Sequence, residues 1–232
     1  MKHTLIILAL IPSLSLAAPA WKTIQQASGD LNGDGRADKV IIEQQQDPSK
    51  IIKNSDFGAN KLNTNLRRIT VLLASANGFT PAAQANWLPP AGDAENPCLE
   101  DPLSDITIKK QVLTINMSYL SSCGSYGTEQ TKYLYQLRDG KFTLIGAESS
   151  SFSRSGGYGT AVSINFNTHK IKASGYIPIF EEENGATPKK QQDRWTALKS
   201  KKIYTLADKP PAPYSLLEQS DKQLSNWLLE AR

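Results

Sequence analysis

Two cysteines, two histidines and two methionines are all that this chain of 232 residues holds of those types. So few cysteines exclude a disulfide-built miniprotein and a four-cysteine zinc site. Two histidines exclude a His-rich metal centre. No Gly-x-Ser-x-Gly elbow and no glycine-rich phosphate loop is present, which removes the usual serine-hydrolase and nucleotide signatures. Neither sign of charge dominates. Against 22 Asp+Glu stand 26 Lys+Arg, a formal excess of +4, and so small an excess gives no reason to expect nucleic acid as a partner. The composition is not collagenous, coiled-coil or wholly disordered.

The longest apolar run is short and lies at the start. Lys2 is followed by the unbroken run Leu5–Ile11 and then by the small-residue stretch Ser13–Ala20. A charged start, a short apolar core and a small-residue end are the three parts of a secretory signal peptide. The run is well below the ~20 residues a membrane-spanning helix needs. Cleavage is expected after Ala17, with Ala20 the later alternative. Removing residues 1–17 leaves 215 of the 232, and the loss of Lys2 lowers the formal charge from +4 to +3. The expected mature chain, 18–232, is exported to the periplasm or beyond and has no transmembrane segment.

Export decides the reading of the cysteines. In an oxidising compartment Cys98 and Cys123, the only pair, are expected to form a disulfide. A catalytic thiol fits less well, because Cys98 sits in the acidic, proline-rich Asn96-Pro97-Cys98-Leu99-Glu100-Asp101-Pro102 and no histidine lies near either cysteine in sequence.

One segment carries specific chemistry. Residues 29–41 read Gly-Asp-Leu-Asn-Gly-Asp-Gly-Arg-Ala-Asp-Lys-Val-Ile. Asp30, Asn32 and Asp34 alternate, Gly35 permits a sharp turn, and Asp38 falls at loop position nine. Calcium takes six to eight hard oxygens, and alternating Asx side chains around a tight turn supply several of them. Arg36 would add its backbone carbonyl. Position twelve is Ile41 where an EF-hand has a bidentate Glu, and it lies in the β-branched run Val40-Ile41-Ile42, so the loop is expected to feed a strand rather than join two helices. The missing carboxylate predicts weak binding, with a dissociation constant of about 10⁻⁴–10⁻³ M. The segment Gly29–Val40 resembles the calcium loop of FG-GAP/VCBS-type repeats of exported bacterial proteins. That resemblance implies structural calcium held by Asp30, Asn32, Asp34 and Asp38, and it implies no activity. The single copy argues against a multi-blade propeller.

Beyond the loop, alternating apolar runs separated by turns predict a mainly antiparallel β architecture, sandwich-like or a partial propeller. Ile69–Leu73, Asp105–Ile108, Val112–Met117, Thr131–Leu137, Lys141–Ile145, Val162–Phe166, Ile171–Tyr176 and Lys202–Leu206 are the expected strands. Asp139-Gly140 between two alternating runs is the clearest hairpin signal. Loops are expected at 44–65, 86–103, 149–157 and 181–192. The body is thus a single β-rich domain over 18–209. A Pro-rich break at 210–213 then leads into one short C-terminal helix, capped near Ser220 and burying Leu224, Trp227, Leu228 and Ala231.

For function, His169 falls in a hairpin turn, the place of a surface residue rather than of a triad member. Tyr119, Tyr126 and Tyr158 lie in Ser- and Gly-rich segments. Such tyrosines give amphipathic contact area, and they are the expected ligand surface. The sequence therefore points first to an exported, calcium-stabilised binding module that meets an envelope protein or a glycan and has no catalytic residues. An inhibitor or immunity-type protein that plugs a toxin is the alternative. A hydrolase with dispersed carboxylates is the second, since carboxylate pairs are spatial and leave no sequence spacing.

Overall fold

In the computed structural model, residues 20–124, 127–153, 157–178 and 190–231 are described. They form two open antiparallel sheets, a small ribbon and two C-terminal helices. The first sheet contains β1 (Trp21–Gly29), β2 (Asp38–Gln45), β5 (Arg67–Ser75) and β6 (Gly78–Ala85) in the order β1-β2-β5-β6. The ribbon pairs β3 (Ile51–Lys53) with β4 (Lys61–Asn63). The second sheet holds β7 (Leu103–Lys109), β8 (Val112–Leu120), β9 (Gly127–Arg138), β10 (Lys141–Ser153), β11 (Tyr158–Asn165), β12 (Lys170–Pro178) and β13 (Gln192–Ala197). These seven pair strictly in chain order, an up-and-down meander.

Alternation in the sequence explains the meander. One row of neighbours runs Ile106, Ile115, Tyr133, Ala147, Ile164, Ile171 across six strands, and these side chains are all buried. The next row, Asp105, Asn116, Lys132, Glu148, Ser163, Lys172, Trp195, points to the other face and is polar except at its end. A period of two places these rows on opposite sides. Asp139 (φ 47°) and Gly140 (φ 73°) both take left-handed conformations, the hairpin geometry whose twist matches that of the flanking strands.

The apolar face of the large sheet has two covers. Over β7–β10 lies the first sheet, and Val40, Ile42, Ile69 and Val71 meet Leu113, Ile115, Tyr135, Phe142 and Leu144. Over β11 and β12 lie α1 (Pro213–Ser220) and α2 (Lys222–Glu230), whose Leu216, Leu217, Leu224 and Leu228 meet Val162, Ile164, Ile171 and Ala173. Phe166 packs against both groups. The fold is mainly β and sandwich-like, as expected, with neither sheet closing into a barrel.

Several boundaries differ from the sequence reading. Lys202–Leu206 is not a strand. Its only ladder pairing among the described residues is an isolated bridge, Thr205 to Thr143, and the final strand is the polar β13. The expected loop at 149–157 begins as strand, because β10 continues to Ser153, where paired backbone outweighs a serine run of low β-propensity. The expected loop at 44–65 contains the β3–β4 ribbon. The C-terminus has two helices, not one: Pro213 fits the first helical turn, and Asp221, extended at φ −152°, ends α1 and caps α2 by accepting the Leu224 N–H at 2.9 Å. No helix among the described residues is long and apolar enough to cross a membrane.

Candidate functional site

The acidic loop joins β1 to β2. Gly33 (φ 81°) and Gly35 (φ 80°) turn the chain through conformations that only glycine adopts without steric cost. Asp30 holds the turn from inside. Its Oδ1 accepts the Gly33 N–H at 2.6 Å and its Oδ2 the Gly35 N–H at 3.0 Å. Asn32 Oδ1 accepts the Asp34 N–H at 3.0 Å, and Asp34 Oδ1 accepts the Arg36 N–H at 2.8 Å. The Arg36 backbone N–H above all, with the Asn32 amide and the Arg36 guanidinium, holds the Asp34 carboxyl below the usual carboxylate range and outweighs the opposing effect of desolvation.

Asp38 behaves differently from the other three. It is fully buried, with Oδ2 accepting the Leu31 N–H at 2.7 Å and Oδ1 the Ala74 N–H at 2.8 Å. It therefore fastens the loop to β5. The side chains of Asp30, Asn32 and Asp34 and the Arg36 carbonyl are an all-oxygen set, the donor chemistry a hard divalent cation takes. Among the described residues no three His, Cys, Asp or Glu side chains converge as a metal group. The loop matches calcium in donor type alone, with the Asp30 carboxylate inside the turn and the Asp34 carboxylate at its rim.

A second site lies beside the disulfide. Cys98 and Cys123 are bonded, with their Cα atoms 5.4 Å apart. The bond fastens the segment before β7 to the turn after β8, and backbone hydrogen bonds continue the seam from Ser122 N–H to Cys98 O (2.8 Å), Glu100 N–H to Leu120 O (2.9 Å) and Ser118 N–H to Pro102 O (2.8 Å). Against this seam opens a cavity of about 470 Å³ walled by Trp87, Pro89, Pro90, Leu99, Tyr119 and Tyr133, with Asp93, Glu100 and Lys209 also among its lining residues. Trp87 is held in place by its Nε1–H, which donates to the Leu206 carbonyl at 2.8 Å, and by an edge contact with Tyr133 at 6.1 Å between ring centres.

Burial raises the Tyr119 phenol above its usual range, with the Glu129 carboxylate adding to the shift. Burial raises Tyr133 further, helped by Tyr119 and Glu129. Both phenols are neutral hydrogen-bonding groups across the physiological range. Glu129 is occupied by two hydroxyls, accepting from Ser149 at 2.7 Å and Thr131 at 3.3 Å. This serine–carboxylate pair is no exposed nucleophile: Ser149 is 2% accessible.

The three expected surface tyrosines do not share one site. Tyr119 lines the cavity. Tyr158 belongs to the helix-covered side, in an edge contact with Tyr176 at 6.0 Å, and Tyr176 in turn meets Trp227. Tyr126 lies outside the described residues. His169 stands exposed in its turn, where its carbonyl accepts the Leu198 N–H. Sequence reasoning missed Trp87, Tyr133 and the prolines beside them. The available signal was Trp87-Leu88-Pro89-Pro90, an apolar cluster inside a segment read simply as loop. Comparison with protein-family models, with curated proteins and with solved structures gives no match.

Proposed function

We propose that the chain is an exported binding module, stabilised by calcium in the Asp30–Asp38 loop, that seats an apolar side chain of a protein partner in the cavity beside Cys98–Cys123. The observation carrying this reading is the wall of Trp87, Tyr119 and Tyr133. Three aromatic residues, from the β6–β7 connection, β8 and β9, line one concave space. Concave, largely apolar pockets with a few polar groups are the usual ligand seats, and Trp and Tyr dominate the energetics of protein interfaces. The prolines stiffen the wall, so little ordering is required on binding. Asp93 and Glu100 favour a basic residue next to the seated side chain, and this favours a protein segment over a neutral glycan.

Catalysis has less support. His169 is remote from any serine–carboxylate pair described above, and Ser149 is buried. The inhibitor or immunity-type reading is a special case of the same proposal, with a toxin as the protein partner. Chemical crosslinking in envelope extract tests it. The wild-type chain is expected to capture one protein stoichiometrically, and Tyr119→Ala and Glu100→Lys are each expected to lose it while retaining the wild-type circular dichroism. Equal capture by both variants would remove the pocket from the function, and binding to a glycan panel without any protein partner would replace this reading with a lectin-like one.

A further inference from the structure

We infer that the end of the large sheet opposite the disulfide docks on an anionic phospholipid bilayer. In a meander, the β7–β8, β9–β10 and β11–β12 turns all fall at the same end of the sheet. Here those turns carry Lys109 and Lys110, Arg138 and Lys141, and His169 and Lys170. The segment after β13 crosses the same end. It is fixed by Leu198 N–H to His169 O at 2.9 Å and Leu144 N–H to Tyr204 O at 2.8 Å, and it brings Lys199, Lys201 and Lys202 alongside.

Between the β9–β10 turn, the β11–β12 turn and this segment lies a cleft of about 680 Å³, lined by Arg138, Lys141, Lys201 and Lys202 and floored by Phe166 and Tyr204. Among the described residues no carboxylate pairs with Lys141, Lys170, Lys199 or Lys201. Lys202 is shared with Asp208 at 3.4 Å and lies over the Tyr204 ring, and among the described residues Arg138 is engaged by the amide oxygens of Asn167 and Gln136. Eight lysines and arginines, Lys109, Lys110, Arg138, Lys141, Lys170, Lys199, Lys201 and Lys202, are thus gathered at one end of the sheet. The opposing charges there are Asp208 beside Lys202, Asp139 at a turn tip, and Asp30 and Asp34 on the loop that abuts Gln111 of the β7–β8 turn. Calcium in that loop would cancel the last two.

One side chain favours a bilayer over a soluble polyanion. Ile203 is 73% exposed, between Lys202 and Tyr204. An acidic polysaccharide has no use for a protruding isoleucine. At a membrane the lysines meet headgroup phosphates while the apolar side chain enters the interface, the division of labour of peripheral proteins. Docked this way, the cavity at Tyr119 faces away from the lipid, because Tyr119 lies at the far end of β8 from the β7–β8 turn.

Co-sedimentation of the mature protein with vesicles tests the inference. Binding is expected to vesicles of phosphatidylglycerol with phosphatidylcholine at about 0.1 M salt, to fall sharply at about 0.5 M, and to be absent with phosphatidylcholine alone. Each cation near such a surface contributes roughly fivefold in affinity, so the triple variant Lys141→Ala, Lys201→Ala, Lys202→Ala is expected to bind on the order of 100-fold more weakly. Ile203→Ser should weaken binding several-fold without changing its salt dependence. All four side chains are exposed, so an unchanged melting curve confirms that the variants fold. No sedimentation with anionic vesicles, or undiminished binding by the triple variant, overturns the inference. So does retention on a sulfated or carboxylated polysaccharide with none on vesicles, which would assign the cleft to an acidic glycan. Loss of partner capture by Tyr119→Ala leaves these outcomes unaffected.

Discussion

Asp34 and Asp38 are four residues apart and do different physical work. Asp38 is buried and takes the Leu31 and Ala74 N–H groups, so removing it strands two donors between the loop and β5. Hydrogen bonds to a charged acceptor contribute about 1.5–3 kcal/mol each, and Asp38→Ala is expected to cost roughly 3 kcal/mol in urea unfolding, with or without calcium. Asp34 is at the rim and bonded mainly to its own loop. Asp34→Asn keeps an acceptor for the Arg36 N–H and removes a charge, so the calcium-free stability should barely move. The two diverge when metal is added. With a dissociation constant near 1 mM, about 10 mM calcium stabilises the wild type by about 1.4 kcal/mol, visible as a rise in melting temperature. Asp34→Asn should lose most of that rise and Asp38→Ala should start from a lower baseline. A wild type whose melting point is indifferent to millimolar calcium would leave the loop as a hydrogen-bonded turn and nothing more.

Among the elements, the segment from Trp87 to Pro102 depends most on a covalent tie. It carries no strand of its own between β6 and β7, yet it forms one wall of the cavity. The Cys98–Cys123 bond closes 26 residues counted inclusively, which in the loop-entropy model corresponds to roughly 3.5 kcal/mol. The Cys98→Ser, Cys123→Ser double variant is therefore expected to unfold at lower denaturant by about that amount and to lose partner capture before it loses its sheet signal in circular dichroism. What was legible in sequence is what is encoded locally. The Asp139-Gly140 turn and the alternation in β8 and β9 are local signals, and the structure has them where they were expected. The strand β1 was not anticipated, because Lys22-Thr23-Ile24-Gln25-Gln26 is an edge strand with little apolar alternation, and only its partner β2 reveals it. The aromatic cavity was legible only through Tyr119. Its other walls come from residues such as Trp87 and Lys209, more than a hundred positions apart, and no periodicity connects them. The acidic loop, by contrast, is contiguous and was readable residue by residue, except that the burial of Asp38 depends on Ala74 of a distant strand.

At the scale of the whole molecule, one sheet supports two covers, with the cavity toward one end and the cations at the other. The sandwich core is unusual in what it buries: Tyr135 is fully enclosed, its hydroxyl meets no hydrogen-bond partner among the described residues, and Tyr133 lies two residues away along β9 on the same face. Burial pushes both phenols far above their usual range, with Tyr133 and Asp208 adding to the effect at Tyr135, and Tyr119 moves in the same direction. A raised phenol means that the folded chain keeps a proton the unfolded chain gives up near pH 10. The stability from this source is complete below about pH 10 and is lost as the pH rises toward the folded values. Counting only the two well-buried phenols, at about 1.4 kcal/mol per proton per pH unit, stability should fall by roughly 2.7 kcal/mol for each unit above pH 10. Phenolate absorbance should then rise in two parts, the second coinciding with the loss of circular dichroism. Tyr135→Phe is the control, because it deletes an unpaired buried hydroxyl and so should leave neutral-pH stability unchanged or slightly higher, while the alkaline slope falls by about half. Full ionisation of all eight tyrosines before any unfolding would mean that water reaches this core, and the close packing of the two sheets around Tyr135 would then be wrong.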